Sequence, residues 1–177
     1  MVLVTGGCRS GKSAYAQRLA ESLPSPRLFV ATCPVTDEEM RLRIEMHQQS
    51  RLGRGWETVE EQVELITVFR RYGEYEVVLV DCLTLWVNNL MYYAEQAGRP
   101  IRERDTAETC RELLAAARQR RGTVIFVTNE VGLGVVPDNA MARRYRDLVG
   151  RVNQTIAAEA DTVTLLTCGI PWHLKST

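Results

Sequence analysis

The sequence carries no net charge: 22 lysines and arginines balance 22 aspartates and glutamates over 177 residues. A balanced chain offers no electrostatic case for binding nucleic acid or an anionic membrane surface. No apolar run approaches the length of a membrane span. No C-x-x-C pair occurs among Cys8, Cys33, Cys82, Cys110 and Cys168. Their odd number and wide scatter indicate neither a zinc site nor a disulfide framework, and free thiols in a reducing cytoplasm are the expectation. Internal repeats, low-complexity tracts and linkers are lacking. Met1 leads straight into an apolar run, so the reading expects a single domain over residues 1–177 and no signal peptide. The Asn-Lys-x-Asp motif of regulatory GTPases is missing, because Thr128-Asn129-Glu130-Val131 has the wrong side chains.

What is there begins at the second residue. Residues 2–4, Val-Leu-Val, form a short apolar run that predicts a buried strand. Gly6-Gly7-Cys8-Arg9-Ser10-Gly11-Lys12-Ser13 follows, a G-x-x-x-x-G-K-S phosphate-binding loop, and from Ser13 a helical pattern carries Ala14, Leu19, Ala20 and Leu23. Strand, loop and helix are the context that this motif requires. Glycines let the backbone curl into a nest of N–H groups, and the helix N-terminus points its positive end at the anion. Lys12 then reaches the β- and γ-phosphates of a nucleotide, while the Ser13 hydroxyl is a Mg²⁺ ligand.

The rest of the chain alternates strand and helix patterns. Residues 28–32 read as a second strand. Thr36-Asp37-Glu38-Glu39 is a capping-box signature opening a helix to about Arg51, with Met40, Arg43, Ile44, His47 and Arg51 along one face. Residues 56–60 read as extended or loop, and 61–71 as a short helix. Val77-Val78-Leu79-Val80-Asp81 reads as a fully buried parallel strand ending in an acid. Asp81 there has the form of a Walker B ligand to Mg²⁺, the alternative being a cap on the next helix. Helices are expected over 83–94 and 104–120, a buried strand over 123–128, a long helix from Pro137 to about Ala160 and a last strand over 161–167, with a tail that could add an edge strand. Trp86 and Met91 read as core. The segment at 129–134 lies beyond a strand's C-terminal end, where open α/β sheets bind ligands. The fold class is therefore α/β, a P-loop NTPase fold with a mostly parallel sheet and helices on both faces.

Several motifs combine with the phosphate loop: Ala31-Thr32, Asp37-x-Glu39-Met40-x-x-Arg43-Ile44-x-x-His47, Trp56-x-Thr58-x-Glu60 and Asp81-Cys82-Leu83-Thr84-Leu85-Trp86. Asn129-Glu130-Val131-Gly132-x-Gly134-x-Val136-Pro137 and Arg146-Asp147-x-x-Gly150-x-x-Asn153-Gln154 complete them. Over nearly its whole length the chain resembles the bifunctional adenosylcobinamide kinase / adenosylcobinamide-phosphate guanylyltransferase family of cobalamin synthesis. The resemblance implies phosphorylation of the aminopropanol hydroxyl of adenosylcobinamide by ATP or GTP. GMP transfer from GTP onto that phosphate would follow, through a GMP–histidine intermediate, giving adenosylcobinamide-GDP and pyrophosphate. It places the histidine at His47 and nucleotide contacts at Gly6, Gly7, Cys8, Arg9, Ser10, Gly11, Lys12 and Ser13. Further contacts fall at Ala31, Thr32, Cys33, Gln48, Gln49, Ser50, Arg51, Glu60 and Asp81. It also implies a homotrimer. Met46 stands where some members carry a second histidine, and Cys8 and Cys33 fill places often taken by Ala or Ser.

The chemistry has its own logic. A neutral imidazole is nucleophilic near pH 7 and makes a reactive phosphoramidate, which splits one displacement into two easier ones. His47 lies one helical turn from both Arg43 and Arg51, so guanidiniums can flank the same phosphates. His173, between Trp172 and Leu174, reads as structural. Glu60 could accept from guanine N1–H and N2–H₂; ribose binding or a solvated acid are its other readings. A kinase without nucleotidyl transfer and a non-catalytic nucleotide switch are the competing functions. The first needs no histidine nucleophile, and the second does not account for Lys12 together with Asp81.

Overall fold

The computed structural model describes residues 1–34, 38–49 and 51–176, and within 38–49 the side chains of all but residues 39, 40, 43 and 47. Among the described residues seven strands form one sheet in the order β3-β2-β4-β5-β1-β6-β7. They are β1 (Val2–Gly6), β2 (Arg27–Ala31), β3 (Trp56–Glu60), β4 (Val77–Asp81), β5 (Thr123–Val127), β6 (Thr162–Thr167) and β7 (Ile170–Ser176). Every neighbouring pair is parallel except β6–β7, an antiparallel hairpin. The helices are α1 (Lys12–Glu21), α2 (Glu38–Gln49), α3 (Leu65–Arg71), α4 (Leu83–Gln96), α5 (Glu103–Gln119) and α6 (Ala140–Glu159).

Helices cover both faces, unevenly. Alternation along β1 sends Leu3 to one face and Val4 to the other. Val4, Phe29, Leu79, Ile125 and Val127 pack with Ala16 and Ala20 of α1. Leu3, Val30, Val80, Phe126 and Val163 pack beneath α3, α4, α5 and α6, with Trp86, Leu113, Leu148 and Ile156 buried in that larger core. Trp86 and Met91 are core residues, as the pattern predicts. The chain leaves β1 over one face towards β2, and leaves β5 over the other face, through α6, to β6 on the far side of β1. The C-terminal ends of β1 and β5 therefore flank the switch point of the sheet, where such folds bind ligands.

Several boundaries differ from the sequence pattern, each for a local reason. Residues 56–60 form a true strand, β3, in register with β2. The helix expected from 61 begins at Leu65, because the Glu61 carboxylate accepts the N–H groups of Val63 and Glu64, both at 2.8 Å, and holds a turn there. The long helix begins at Ala140 rather than at Pro137. Asn139 caps it through Ala142 N–H at 3.1 Å, and Arg143 ties down the carbonyls of Pro137 and Asp138. Tyr145 of α6 is half-buried, packed against the larger core, and its hydroxyl donates to Thr84 O at 3.2 Å. The 36–39 capping box rests on Thr36 and Asp37, which lie outside the described residues.

Candidate functional site

The phosphate loop spans the gap between the end of β1 and the start of α1. Gly6 has φ 147°, and a Cβ there would sit 2.4 Å from Leu166 O, so neither the conformation nor the space admits a side chain. Gly11 adopts a left-handed conformation (φ 94°) at the N-cap of α1, with no side-chain cap. The loop's carbonyls are turned to the protein: Glu130 N–H donates to Gly6 O at 3.1 Å, Ser10 N–H to Gly7 O at 3.3 Å and Gly169 N–H to Ser10 O at 3.0 Å. The first N–H groups of an α-helix have no acceptor within it, so the N–H groups at the start of α1 are available to an anion lying in the loop.

Lys12 is 93% buried by its 7% exposure and donates from Nζ to Gly7 O at 2.6 Å. Burial lowers its pKa, and the nearby Asp81 carboxylate partly offsets this. Ser13 is half-buried beside it, while Gly7, Cys8 and Arg9 are exposed, Arg9 with φ 53°. Ser10 is buried and its Oγ has no hydrogen-bond partner. Arg51 is also buried. Its guanidinium lies 3.5 Å over the Phe29 ring, and Nε and Nη1 are unpartnered. Desolvation lowers its pKa against the field of Asp81. Buried donors without acceptors are costly, roughly 1–3 kcal/mol each, and the acceptor oxygens of an anion are of the type that satisfies such donors.

Register aligns three of the predicted residues. Ala31 pairs with Glu60 on one side and with Asp81 on the other, so Glu60, Ala31 and Asp81 stand in a row at the C-terminal ends of β3, β2 and β4. Glu60 is exposed. Four strand spacings separate β3 from β1, roughly 19 Å at ~4.8 Å each, so Glu60 stands too far away to touch phosphates held at Gly6. Cys33 is half-buried just beyond β2, and Gln48 and Gln49 are exposed at the end of α2. Ser50 and the side chains of Arg43 and His47 lie outside the described residues. His173 is exposed on β7, with Nδ1 3.0 Å from Thr164 Oγ1.

Thr32 differs in kind from its neighbours. It is fully buried, and its hydroxyl both donates to Cys82 O and accepts from Cys82 N–H, each at 2.7 Å. Asn89, inside α4, donates to Thr32 O at 2.8 Å. A second chain of bonds runs behind Asp81: Cys82 Sγ lies 2.9 Å from Thr84 Oγ1, which accepts from Asn129 Nδ2 at 2.8 Å. Asn153 Nδ2 donates to Asn129 O at 3.0 Å, and Thr128 Oγ1 donates to Asn153 Oδ1 at 2.7 Å. Burial, with Asp81 alongside, pushes the Cys82 thiol up to about 11, so it stays protonated at neutral pH. The sequence offered one signal for this lattice, polar Asn89 on the apolar face of α4. The pairing of Asn129 with Thr84, 45 residues apart, had none.

The donor set suits Mg²⁺. Among the described residues no cluster of three or more His, Cys, Asp or Glu could by itself hold a metal. Mg²⁺ needs no such cage, because it is held by one or two protein oxygens together with water and substrate phosphates. Ser13 Oγ, in the first turn of α1, and the Asp81 carboxylate, at the end of β4, are oxygen donors of that type. No helix of the described residues is long and apolar enough to cross a membrane.

Known proteins place this geometry in context. The family model "Cobinamide kinase / cobinamide phosphate guanyltransferase" matches residues 2–174. The chain is 39% identical to the bifunctional adenosylcobalamin biosynthesis protein CobU of Salmonella typhimurium and 40% identical to that of Escherichia coli, covering 99% of both partners in each case. It is 39% identical to the bifunctional adenosylcobalamin biosynthesis protein CobP of Pseudomonas aeruginosa, over 98% of this chain and 96% of that one. Among solved structures, an ATPase of a bacterial type III secretion system superposes with TM-score 0.60 at 13% identity. The secretion ATPase EscN of enteropathogenic E. coli superposes with TM-score 0.56 at 12% identity. Both alignments cover 94% of this chain, but only 50% and 42% of those longer chains. At such identity they establish the P-loop NTPase fold alone.

Proposed function

The chain belongs to the cobinamide kinase / cobinamide phosphate guanyltransferase family, and from that premise we propose a two-step reaction at this site. ATP or GTP first phosphorylates the aminopropanol hydroxyl of adenosylcobinamide. GTP then gives its GMP to the new phosphate through a GMP–histidine intermediate at His47, yielding adenosylcobinamide-GDP and pyrophosphate. As an enzyme of this family it is a kinase and guanylyltransferase of cobalamin biosynthesis, and its substrates are a corrinoid and nucleotides. The observation that carries the reading is the buried Lys12 at the start of α1, in the field of Asp81, on a chain whose family match spans residues 2–174.

In the kinase step the acceptor hydroxyl oxygen attacks the γ-phosphorus, and the bond to the β-phosphate bridging oxygen breaks. Lys12 and the N–H groups at the start of α1 hold the phosphates while charge moves onto the leaving oxygen. Ser13 and Asp81 would hold Mg²⁺, which when bound neutralises charge on the β- and γ-oxygens. Arg51, buried with two unpartnered nitrogens, adds a cation on the Asp81 side. In the guanylyl step a ring nitrogen of His47 attacks the α-phosphorus and expels pyrophosphate. The corrinoid phosphate oxygen then attacks the same phosphorus, and the P–N bond breaks.

Incubation with adenosylcobinamide and GTP, with products resolved by mass, tests the reading. The His47→Ala variant separates the steps. It should abolish GMP transfer and the acid-labile, base-stable GMP–protein adduct, while much of the ATP-dependent kinase activity persists. GMP transfer surviving in His47→Ala refutes the covalent route. Loss of both activities in a folded variant makes His47 a shared binding residue.

A further inference from the structure

A cavity of about 780 Å³ opens on the α6 side of the sheet, between β1, β6, α6 and the 130–136 segment. It abuts the phosphate loop. Thr5 lines it one residue before Gly6, and Glu130, also in its wall, donates its N–H to Gly6 O at 3.1 Å. The cavity falls in the range, ~300–1,000 Å³, that encloses a small-molecule ligand or an arm of a larger one.

One feature of its wall lacks an explanation among the described residues. Gly150 lies in the middle of α6, where glycine costs roughly 0.5–1 kcal/mol relative to alanine. Nothing lies within 4 Å of where its Cβ would be, so intrachain packing does not demand the glycine. Arg146, Gly150, Asn153 and Ala157 form one stripe along α6 that borders the cavity. A bare glycine in that stripe, facing open space, is a place where a ligand can approach the helix backbone.

The lining also restricts the ligand's chemistry. Both arginines in the wall are engaged by acids, Arg146 with Asp147 and Arg151 with Glu103, each at 3.4 Å. Among the described residues both cations of this wall therefore have an acid beside them. The remaining surface mixes apolar groups such as Leu3 and Val163 with the amide-bearing Asn153 and Gln154 and with Glu130, whose carboxylate accepts Gly132 N–H at 2.8 Å. Such a surface matches a short, uncharged arm with an amide link and a hydroxyl, whose proton a carboxylate or amide oxygen of the wall can accept.

We propose that this cavity, bounded by Thr5, Glu130, Gly150 and Gln154, is the phosphoryl-acceptor subsite and receives the aminopropanol arm of the corrinoid beside the phosphate loop. The proposal rests on the function proposed above. Its geometry puts the acceptor on the face of the sheet opposite α1, so nucleotide and corrinoid arm meet at the ends of β1 and β5 from opposite sides.

Gly150→Leu fills the cavity, and Gly150→Ala is its small-volume control. With nucleotide saturating, Gly150→Leu should raise KM for adenosylcobinamide at least tenfold, and Gly150→Ala less than threefold. The Kd for a fluorescent GTP analogue should stay within twofold of wild type in both. Should Gly150→Leu fail to fold, Gln154→Trp, from an exposed position on the rim, fills the same space and should raise the same KM. An unchanged corrinoid KM in the folded variants overturns the proposal. So does a change that follows loss of oligomer by light scattering and reverses at high protein concentration, because the face is then a contact between copies, to which exposed Leu133 and Val135 would belong. Absence of any wild-type turnover of adenosylcobinamide refutes the function itself and the subsite with it, whereas normal wild-type turnover with unaltered variants refutes the subsite alone.

Discussion

Replacing Thr32 with valine keeps the volume and removes one hydroxyl, and the structure says which groups that hydroxyl serves. It accepts from Cys82 N–H and donates to Cys82 O, both at 2.7 Å, in a fully buried setting. The Cys82 carbonyl keeps a second partner, Trp86 N–H at 3.1 Å, so the substitution orphans one buried donor, the Cys82 N–H. That loss costs roughly 1–3 kcal/mol. For a chain of this size it corresponds to a fall in Tm of roughly 2–12 °C. Because Cys82 follows Asp81 directly, the end of β4 loosens as well, and the kinase rate at saturating nucleotide should fall. Thr32→Ser keeps the hydroxyl and should retain most of both. The assays are urea unfolding and kinase turnover on the three proteins. If Thr32→Val unfolds within ~0.5 kcal/mol of wild type while nucleotide affinity drops, Thr32 is a direct nucleotide contact and the anchoring argument fails.

Lys12 carries a pH signature. Burial holds its folded pKa below 10.5, so the charged form opposes folding at neutral pH, and this opposition is relieved as pH rises from the folded value through 10.5. Bound phosphates favour the ammonium, so nucleotide binding should take up a proton on the alkaline side, and GTP affinity should begin to weaken below pH 10.5; affinity that stays flat up to that pH contradicts this. Asp81→Asn, nearly isosteric, should stay folded and lose roughly 10²-fold in Mg²⁺-dependent kinase rate; normal activity at every Mg²⁺ concentration would leave Asp81 as a helix cap only. The chain should assemble as a homotrimer, and light scattering that returns a stable monomer at micromolar concentration would remove that expectation.

Local chemistry makes much of this molecule legible in its sequence. The Gly6–Ser13 loop is readable because its function needs glycine at fixed offsets between a strand and a helix. Residues 77–81 are readable because a strand buried on both faces must be continuously apolar, and the acid that breaks the run marks its end. The edge strand β3 was not, because Trp-Glu-Thr-Val-Glu has one exposed edge and an incomplete apolar pattern, so its strand character comes from pairing with β2. The starts of α3 and α6 were misplaced where side chains, Glu61 and Asn139, held the backbone in turns.

By itself the sequence determined the strand–loop–helix that binds phosphate, the α/β class and the family, since each rests on residue types at short, fixed spacing. Tertiary structure alone decided which residues meet across that spacing. It ordered β5 between β1 and β4, so that Asn129 reaches Thr84 and Asp81 stands two strands from the loop. It turned Thr32 inward to hold Cys82, buried Arg51 against Phe29, and left a cavity beside Gly150. Strand order and side-chain burial depend on how whole faces pack, and no local run of residues encodes them.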